Sequence, residues 1–382
     1  MGVKNLVSDL AWGLGGLLPL RKNRVVFSSY YGRGYSDSPR AIAQALLGTG
    51  EDLNLLWLVS SPEEAATLPQ GIRPVDYRGW GRILALSTAK VWVDNCRKYD
   101  RRKRKDQYYM QTWHGFALKR IEADAAEALE PEYVRGCRLD SAHCDLMVAG
   151  SRFMEELYHR SFWYSGPVAL YGSPRNDVFF RPQEETARAI RSFFGLPEDR
   201  KLVLYAPTFR ADHSTAAYGL APEPLLEALG KRFGGDWSLL VRLHPNVTAQ
   251  SAGLFAYDGD RVLDATKYPE MAELLCAADV LLTDYSSCMF DFALSGKPCL
   301  QFATDIETYR NDRNFYFSLD ELPFPLAQSN EALARAVETF DGEVYACRWR
   351  SFAEENGFRE DGHAAERCAD WIIDKLNEKG RT

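Results

Sequence analysis

The chain lacks the cysteine patterns that staple small domains or hold metals. Its eight cysteines, at 96, 137, 144, 276, 288, 299, 347 and 368, form no CxxC pair and no Cys/His cluster with zinc-ligand spacing. They read as reduced, mostly buried thiols of a cytoplasmic protein. A run of about 20 apolar residues, the length of a spanning helix, is also missing. The most apolar N-terminal stretch, residues 10–20, includes three glycines, and no signal peptide is visible before it. There is no excess of basic charge: 46 Lys and Arg against 53 Asp and Glu give a net −7, which argues against a nucleic-acid partner. Internal repeats and low-complexity tracts are absent.

Several nucleotide and hydrolase signatures are missing as well. No GxxxxGK[ST] loop, GxSxG elbow or HExxH helix occurs. Gly13-Leu14-Gly15-Gly16 fails the dinucleotide fingerprint, because residue 18 is leucine and no strand precedes it. The single DxD, Asp258-Gly259-Asp260, could serve a metal-dependent nucleotide-sugar site, but Asp-Gly before a strand reads as a turn.

What is present is ample for folding. At 382 residues the chain has room for two or three domains, and 46% hydrophobic against 26% charged residues marks it as globular. Short apolar runs at 25–27, 55–59, 90–93, 108–112 and 146–149 predict strands covered on both faces. Those at 201–206, 237–243, 280–283 and 298–302 repeat the scheme. Helical patterns alternate with them, at 41–47, 152–159, 222–231, 270–277, 287–294, 331–340 and 362–376. Ser38 and Pro39 suit an N-cap and first helical position, and Asp361 suits the cap of the last helix. That helix carries Ala364, Cys368, Trp371, Ile372 and Leu376 on one stripe. The reading is two Rossmann-like α/β halves facing a cleft, with the crossing at 181–200.

Five segments at predicted strand ends carry chemistry. In Gln111-Thr112-Trp113-His114-Gly115 a strand ends on an aromatic, a histidine and a glycine; position alone leaves a structural and a functional imidazole open. Lys119, Arg120 and Asp124 follow. In Arg242-Leu243-His244-Pro245, Arg242 and His244 share one face, suited to an anion. Tyr205-Ala206-Pro207-Thr208-Phe209-Arg210 leaves a hydroxyl and a guanidinium beyond a strand, and Tyr171-Gly172-Ser173-Pro174-Arg175 exposes another guanidinium on a turn. Asp284-Tyr285-Ser286-Ser287 opens a helix whose N–H groups suit a phosphate, with Asp291 on the same face.

Together QTWHG with Lys119-Arg120 and Asp124, SPRND, YAPTFR, RLHP and TDYSSCMFDFALSGKP, preceded by Tyr35-Ser36-Asp37-Ser38-Pro39, resemble the CDP-glycerol glycerophosphotransferase family of teichoic-acid and capsule enzymes. The resemblance runs from about residue 24 to 370. Phe116-Ala117 stand where that family has Thr-Pro, and Asp361-Gly362-His363 where it has Asp-Gly-Lys. It implies a glycosyltransferase type B fold with the C-terminal helix crossing back. The expected layout is a membrane-associating segment 1–23, an acceptor-side domain 24–185, a CDP-binding domain 186–360 and a C-terminal helix 361–382.

The implied reaction transfers glycerol phosphate from CDP-glycerol to a hydroxyl of a lipid-linked acceptor, releasing CMP. CDP-ribitol, another CDP-polyol or a nucleotide sugar is the alternative donor. His114 is the implied base. His244, Arg242 and the Ser286–Ser287 helix end would steady the diphosphate, with Pro207, Thr208, Arg210 and Arg175 around it. Lys267 and Glu270 would lie near the nucleoside, Asp284 and Asp291 beside the phosphate loop. Trp113, Gly115, Phe116, Ala117, Leu118 and Asp124 would contact substrate on the acceptor side. No metal or other cofactor is called for. Residues 3–20 with Arg21, Lys22 and Arg24, and the run 97–105 with seven basic residues in nine, predict peripheral binding at the inner membrane face.

Overall fold

The computed structural model describes residues 3–98, 102–210, 218–243, 253–306 and 314–378. The chain folds as two units. The first comprises Met1–His114, Ile121–Phe180 and Phe358–Thr382; the second comprises Gly115–Arg120 and Arg181–Gly357. The excursion at 115–120 has no counterpart in the sequence reading.

The first unit is built on seven strands: β1 Arg21–Ser28, β2 Asn54–Val59, β3 Ile72–Asp76, β4 Ala89–Asp94, β5 Tyr108–Gln111, β6 Leu146–Val148 and β7 Val168–Ala169. Their order is β3-β2-β1-β4-β5-β6-β7, and every pair is parallel. The second unit has β8 Lys201–Ala206, β9 Trp237–Val241, β10 Val262–Asp264, β11 Val280–Thr283, β12 Cys299–Phe302 and β13 Leu326–Ala327. Their order is β10-β9-β8-β11-β12-β13, again parallel throughout. In each sheet the winding reverses once, between β1 and β4 and between β8 and β11. Ligands of open α/β sheets bind outside the carboxyl ends at such a switch point.

Central strands are mostly apolar because both faces are covered: all six residues of β4 and all five of β9 are buried, including Lys90, Asp94 and Ser238. The sequence reading omits β3, β7 and β13. In β3 only Ile72 is buried and Pro74 interrupts the run, as an edge position allows. The other two have only two residues each.

Helix ends depart from expectation in two places. The helix Asp37–Gly48 starts two residues earlier than predicted, with Ser36 and not Ser38 as its N-cap. The C-terminal helix Ala364–Asn377 returns to the first unit and buries Cys368, Ile372 and Leu376 with Ile42 and Val91. Its first N–H groups, of Ala364 and Ala365, donate to the Asp177 carboxylate at 3.0 and 2.8 Å. Asp361, the expected cap, instead accepts from the His363 N–H and pairs with Arg367. Gly172 permits this docking: its φ is +94°, and a Cβ there would lie 3.0 Å from the Arg359 carbonyl oxygen. The crossing at 181–200 contains a helix, Glu184–Phe193. Asp258-Gly259-Asp260 is a turn, with the Asp258 carboxylate accepting from three successive N–H groups of residues 260, 261 and 262.

The N-terminal segment is a helix, Val3–Leu17. It packs on the helix Trp80–Thr88. Trp12 is buried among Val26, Leu56, Leu86 and Trp92, its ring 6.5 Å from that of Trp92. Leu10, Leu14 and Leu17 remain exposed. Among the described residues no helix is long and apolar enough to cross a membrane.

Candidate active site

In the first unit polar side chains gather where β1, β4 and β5 end. His114 lies just past β5. Its Nδ1 is 2.7 Å from the carbonyl oxygen of Asn95, the residue after β4. A carbonyl only accepts, so Nδ1 carries the proton and Nε2 keeps its lone pair. Burial lowers the imidazole pKa below its usual 6.5, and Arg175 adds to this; the Asn95 carbonyl and Asp37 oppose it without cancelling it. The ring is therefore neutral near pH 7, the form a general base requires.

The loop is held by its own sequence. Gln111 is buried; its amide donates to the Cys96 carbonyl and the Tyr109 hydroxyl, while its oxygen accepts from the Trp113 N–H at 2.9 Å. Trp113 is thereby fixed at φ +54°, an unusual state for a bulky residue that costs about 1–3 kcal/mol. Its indole stacks on His114, with ring centroids 4.3 Å apart. Beneath it Arg97 is buried between Glu122 and Asp140, 3.0 Å from each. Burial opposes the Arg97 charge, but the two carboxylates outweigh it and raise the guanidinium pKa.

A second brace faces the imidazole. The Tyr30 ring lies 5.8 Å from that of His114, and its hydroxyl donates to Asp37 at 2.5 Å. Asp37 also pairs with Arg175 at 3.0 Å and accepts from the Ser38 N–H. Burial alone would raise the Asp37 carboxyl pKa, but Arg175, the Tyr30 hydroxyl and the Ser38 amide together hold it below the ordinary value. Tyr30, Tyr31 and Asp37 all have positive φ.

In the second unit the loops after β8 and β11 meet. Arg210 is buried between Asp284 at 2.8 Å and Asp305 at 2.6 Å. Asp284 also accepts from the N–H groups of Thr208 and Tyr285. The Thr208 hydroxyl oxygen is buried with no hydrogen-bond partner among the described residues. Ser286 and Ser287 are half-buried and open the short helix Cys288–Ala293, in which Asp291 is buried. Arg242 donates to the carbonyls of Ala265 and Tyr268, tying down the loop before Glu270.

The expected residues separate into groups. Trp113, His114 and Gly115 stand at one strand end, with φ +135° at Gly115. Arg175 is not a free cation for a phosphate, because Asp37 holds it. Arg210 and Asp284 likewise hold each other and brace the loops. Phe116, Ala117 and Leu118 are buried in the second unit, the Phe116 ring 4.5 Å from Phe290 and 5.7 Å from Phe317. Asp124 pairs with the exposed Arg160 at 2.8 Å. Pro207 is buried and Lys267 exposed. Glu270 caps the helix Met271–Ala277 by accepting from the Ala272 N–H. His244 lies outside the described residues. Sequence reading did not single out Asn95 or Tyr30, and gave Gln111 and Asp37 only as members of their motifs. The available signal was a polar cluster directly after an apolar run, as in Asp94-Asn95-Cys96.

Two doubly wound sheets in one chain, with polar loops at both switch points, define a glycosyltransferase type B-like fold. The solved structures of the wall teichoic acid polymerase TagF share it. A histidine-substituted variant of TagF soaked with CDPG superposes with a TM-score of 0.84 at 28% identity, over 98% of this chain and 96% of that one. The UDP-GlcNAc 2-epimerase of Neisseria meningitidis, at 12% identity and a TM-score of 0.53 over 92% of this chain and 100% of that one, shows a likeness of fold alone.

The chain belongs to the CDP-glycerol:poly(glycerophosphate) glycerophosphotransferase family, whose model matches residues 14–374. The teichoic acid poly(glycerol phosphate) polymerase of Bacillus subtilis (strain 168) is 30% identical over 93% of this chain and 49% of its own length. This chain thus spans about half the length of that relative. The teichoic acid glycerol-phosphate transferase of Staphylococcus aureus (strain NCTC 8325 / PS 47) is 30% identical over 92% of this chain and 93% of its own length.

Proposed function

We propose that the chain transfers glycerol phosphate from CDP-glycerol to a hydroxyl of a lipid-linked acceptor in teichoic-acid-like polymer synthesis. The observation that carries this reading is the fixed tautomer of His114 in a chain of this family. The acceptor hydroxyl attacks the phosphorus distal to cytidine, and its proton passes to Nε2 of His114. The bond from that phosphorus to the bridging oxygen breaks, and CMP leaves with the electron pair. Nδ1 stays on Asn95, so the ring does not turn as it charges. Asp37 lies near enough to favour the imidazolium that forms.

Thr208, Ser286 and Ser287 are the nucleotide-side contacts in the second unit, together with His244. Arg210, Asp284 and Arg242 shape the loops that present them. Glycerol relatives at 28–30% identity support CDP-glycerol over CDP-ribitol, since the ribitol relatives reach 25–26%. Incubation with CDP-glycerol, CDP-ribitol and UDP-sugars beside lipid acceptors, with mass spectrometry of the products, tests the reading. CMP release that requires CDP-glycerol and acceptor is the expected result; release of UDP alone would overturn it.

The domain layout is part of the proposal: a membrane-associating segment 1–23, an acceptor-side unit and a CDP-side unit. Leu10, Leu14 and Leu17 recur at helical spacing on the exposed side of the helix Val3–Leu17. Trp80 and Leu84 are exposed on the helix packed beside it. Arg102 and Lys105 are exposed, and Arg104 donates to the Leu18 carbonyl at 2.6 Å. An apolar face rimmed by basic residues suits the inner, anionic membrane surface. The basic run contributes less than its length implies, since Arg97 and Lys98 are buried in ion pairs and Lys103 pairs with Asp145.

A further inference from the structure

We propose that Asp140 is a positioning residue for the base: one buried carboxylate holds Trp113 both by its backbone and by its ring, and Trp113 holds the His114 imidazole. The proposal rests on the reading of His114 as the base. Asp140 lies on the helix Pro131–His143, well beyond QTWHG in the chain. It is 1% exposed, and three donors converge on it. Its Oδ1 accepts from the Tyr109 hydroxyl at 3.0 Å and from the Lys98 N–H at 2.9 Å; its Oδ2 accepts from Arg97 at 3.0 Å.

The first arm is a chain of hydrogen bonds, each with a fixed direction. Burial pushes the Asp140 carboxyl up to about 6, with Arg97 foremost among the groups that oppose this, so near pH 7 the carboxylate is ionised and only accepts. Burial raises the Tyr109 phenol well above its ordinary value, so it keeps its proton and gives it to Asp140. The Tyr109 oxygen is then left to accept from the Gln111 amide at 2.7 Å. The other amide hydrogen goes to the Cys96 carbonyl at 2.8 Å, which leaves the Gln111 oxygen facing the Trp113 N–H, 2.9 Å away. Tyr109 and Gln111 meet because they lie two apart on β5 and share a face.

The second arm is packing. The Arg97 guanidinium that pairs with Asp140 lies 5.8 Å from the Trp113 ring centroid and 4.8 Å from that of Phe162. Phe162 meets the indole edge-on at 4.7 Å, and the indole stacks on His114. Trp113 uses both arms, since a bulky residue keeps a φ of +54° only where its surroundings impose it. A buried cluster of arginine and carboxylates gains little stability over apolar residues of the same volume. What this one supplies is geometry: Trp113 is fixed at both ends, and the imidazole beside it stays against the Asn95 carbonyl.

Tyr109→Phe cuts the first arm while keeping the ring, and Asp140→Asn weakens both arms; the first variant carries the test if the second does not fold. Each is expected to lower kcat for CMP release by about tenfold or more, the scale of a buried hydrogen bond left half made, with the KM for CDP-glycerol little changed. In a His114→Ala background neither should lower turnover further, because a residue that acts through the base has nothing left to act on. The His114 ring gives an independent reading in the full chain labelled with nitrogen-15 histidine, without substrate, its signals assigned by their loss in His114→Gln. The Nδ1–H should exchange with water faster in both variants than in the wild type. Where His114→Ala is impaired, normal turnover or unchanged exchange in Tyr109→Phe would overturn the proposal, as would the same fold-loss of turnover with and without His114. Full turnover in His114→Ala, together with faster exchange in Tyr109→Phe, would remove the base assignment and leave the positioning of the ring standing.

Discussion

The Nδ1 atom of His114 sits 2.7 Å from the carbonyl oxygen of Asn95. The two residues are nineteen apart in the chain and follow neighbouring strands, β5 and β4. One backbone oxygen thus sets which imidazole nitrogen is basic, and no mutation of the Asn95 side chain can remove that oxygen.

Replacing His114 by Ala or Gln is expected to lower turnover with CDP-glycerol and a lipid acceptor by about 100-fold or more, the usual scale of a general base. Steady-state CMP release measures this. Near-normal turnover in both variants would end the base assignment.

The pH profile follows from the lowered His114 pKa. The basic form is neutral, so activity is present above the folded-state value and is lost as pH falls through it; the acid limb of kcat/KM should lie below 6.5. Arg175 is one of the groups that lower this value, so Arg175→Met should move the limb upward. A limb that stays in place in that variant would show that the recorded group is not His114.

Arg210 is expected to act on stability before it acts on the nucleotide. Arg210→Met leaves Asp284 buried without its cation, and breaking a buried pair typically costs about 3–5 kcal/mol. Urea unfolding reads this directly. A variant with full stability and only a raised donor KM would return Arg210 to the phosphate cradle.

The N-terminal helix separates packing from membrane attachment. Trp12→Ala should destabilise the first unit by about 3–5 kcal/mol, as large-to-small changes in cores do. Leu14→Glu with Leu17→Glu should leave the melting temperature nearly unchanged and reduce flotation with anionic liposomes. Flotation that survives the two charges would place the membrane contact elsewhere.

Much of the frame is legible in the residues alone. Runs such as 201–206 and 280–283 coincide with β8 and β11, because strands covered on both faces are apolar over most of their length. Edge strands carry no such requirement, and β3, with an arginine and a proline, escapes. The site divides in the same way. QTWHG is recognisable as a segment, but Asn95 and Cys96, which hold His114 and Gln111, are brought in by the pairing of β4 with β5. Arginines are the least legible: nothing in the sequence separates Arg175 and Arg210, spent on buried carboxylates, from Arg102, which is exposed.

The sequence by itself determined two α/β halves, the family and the position of a histidine after a strand, because hydrophobic periodicity and motif order are local properties. Only the tertiary structure decided that this histidine is neutral with Nε2 as its base, and which cations are spent on carboxylates. Protonation and charge pairing depend on burial and on distances of about 3 Å between residues remote in the chain, and no sequence interval specifies them.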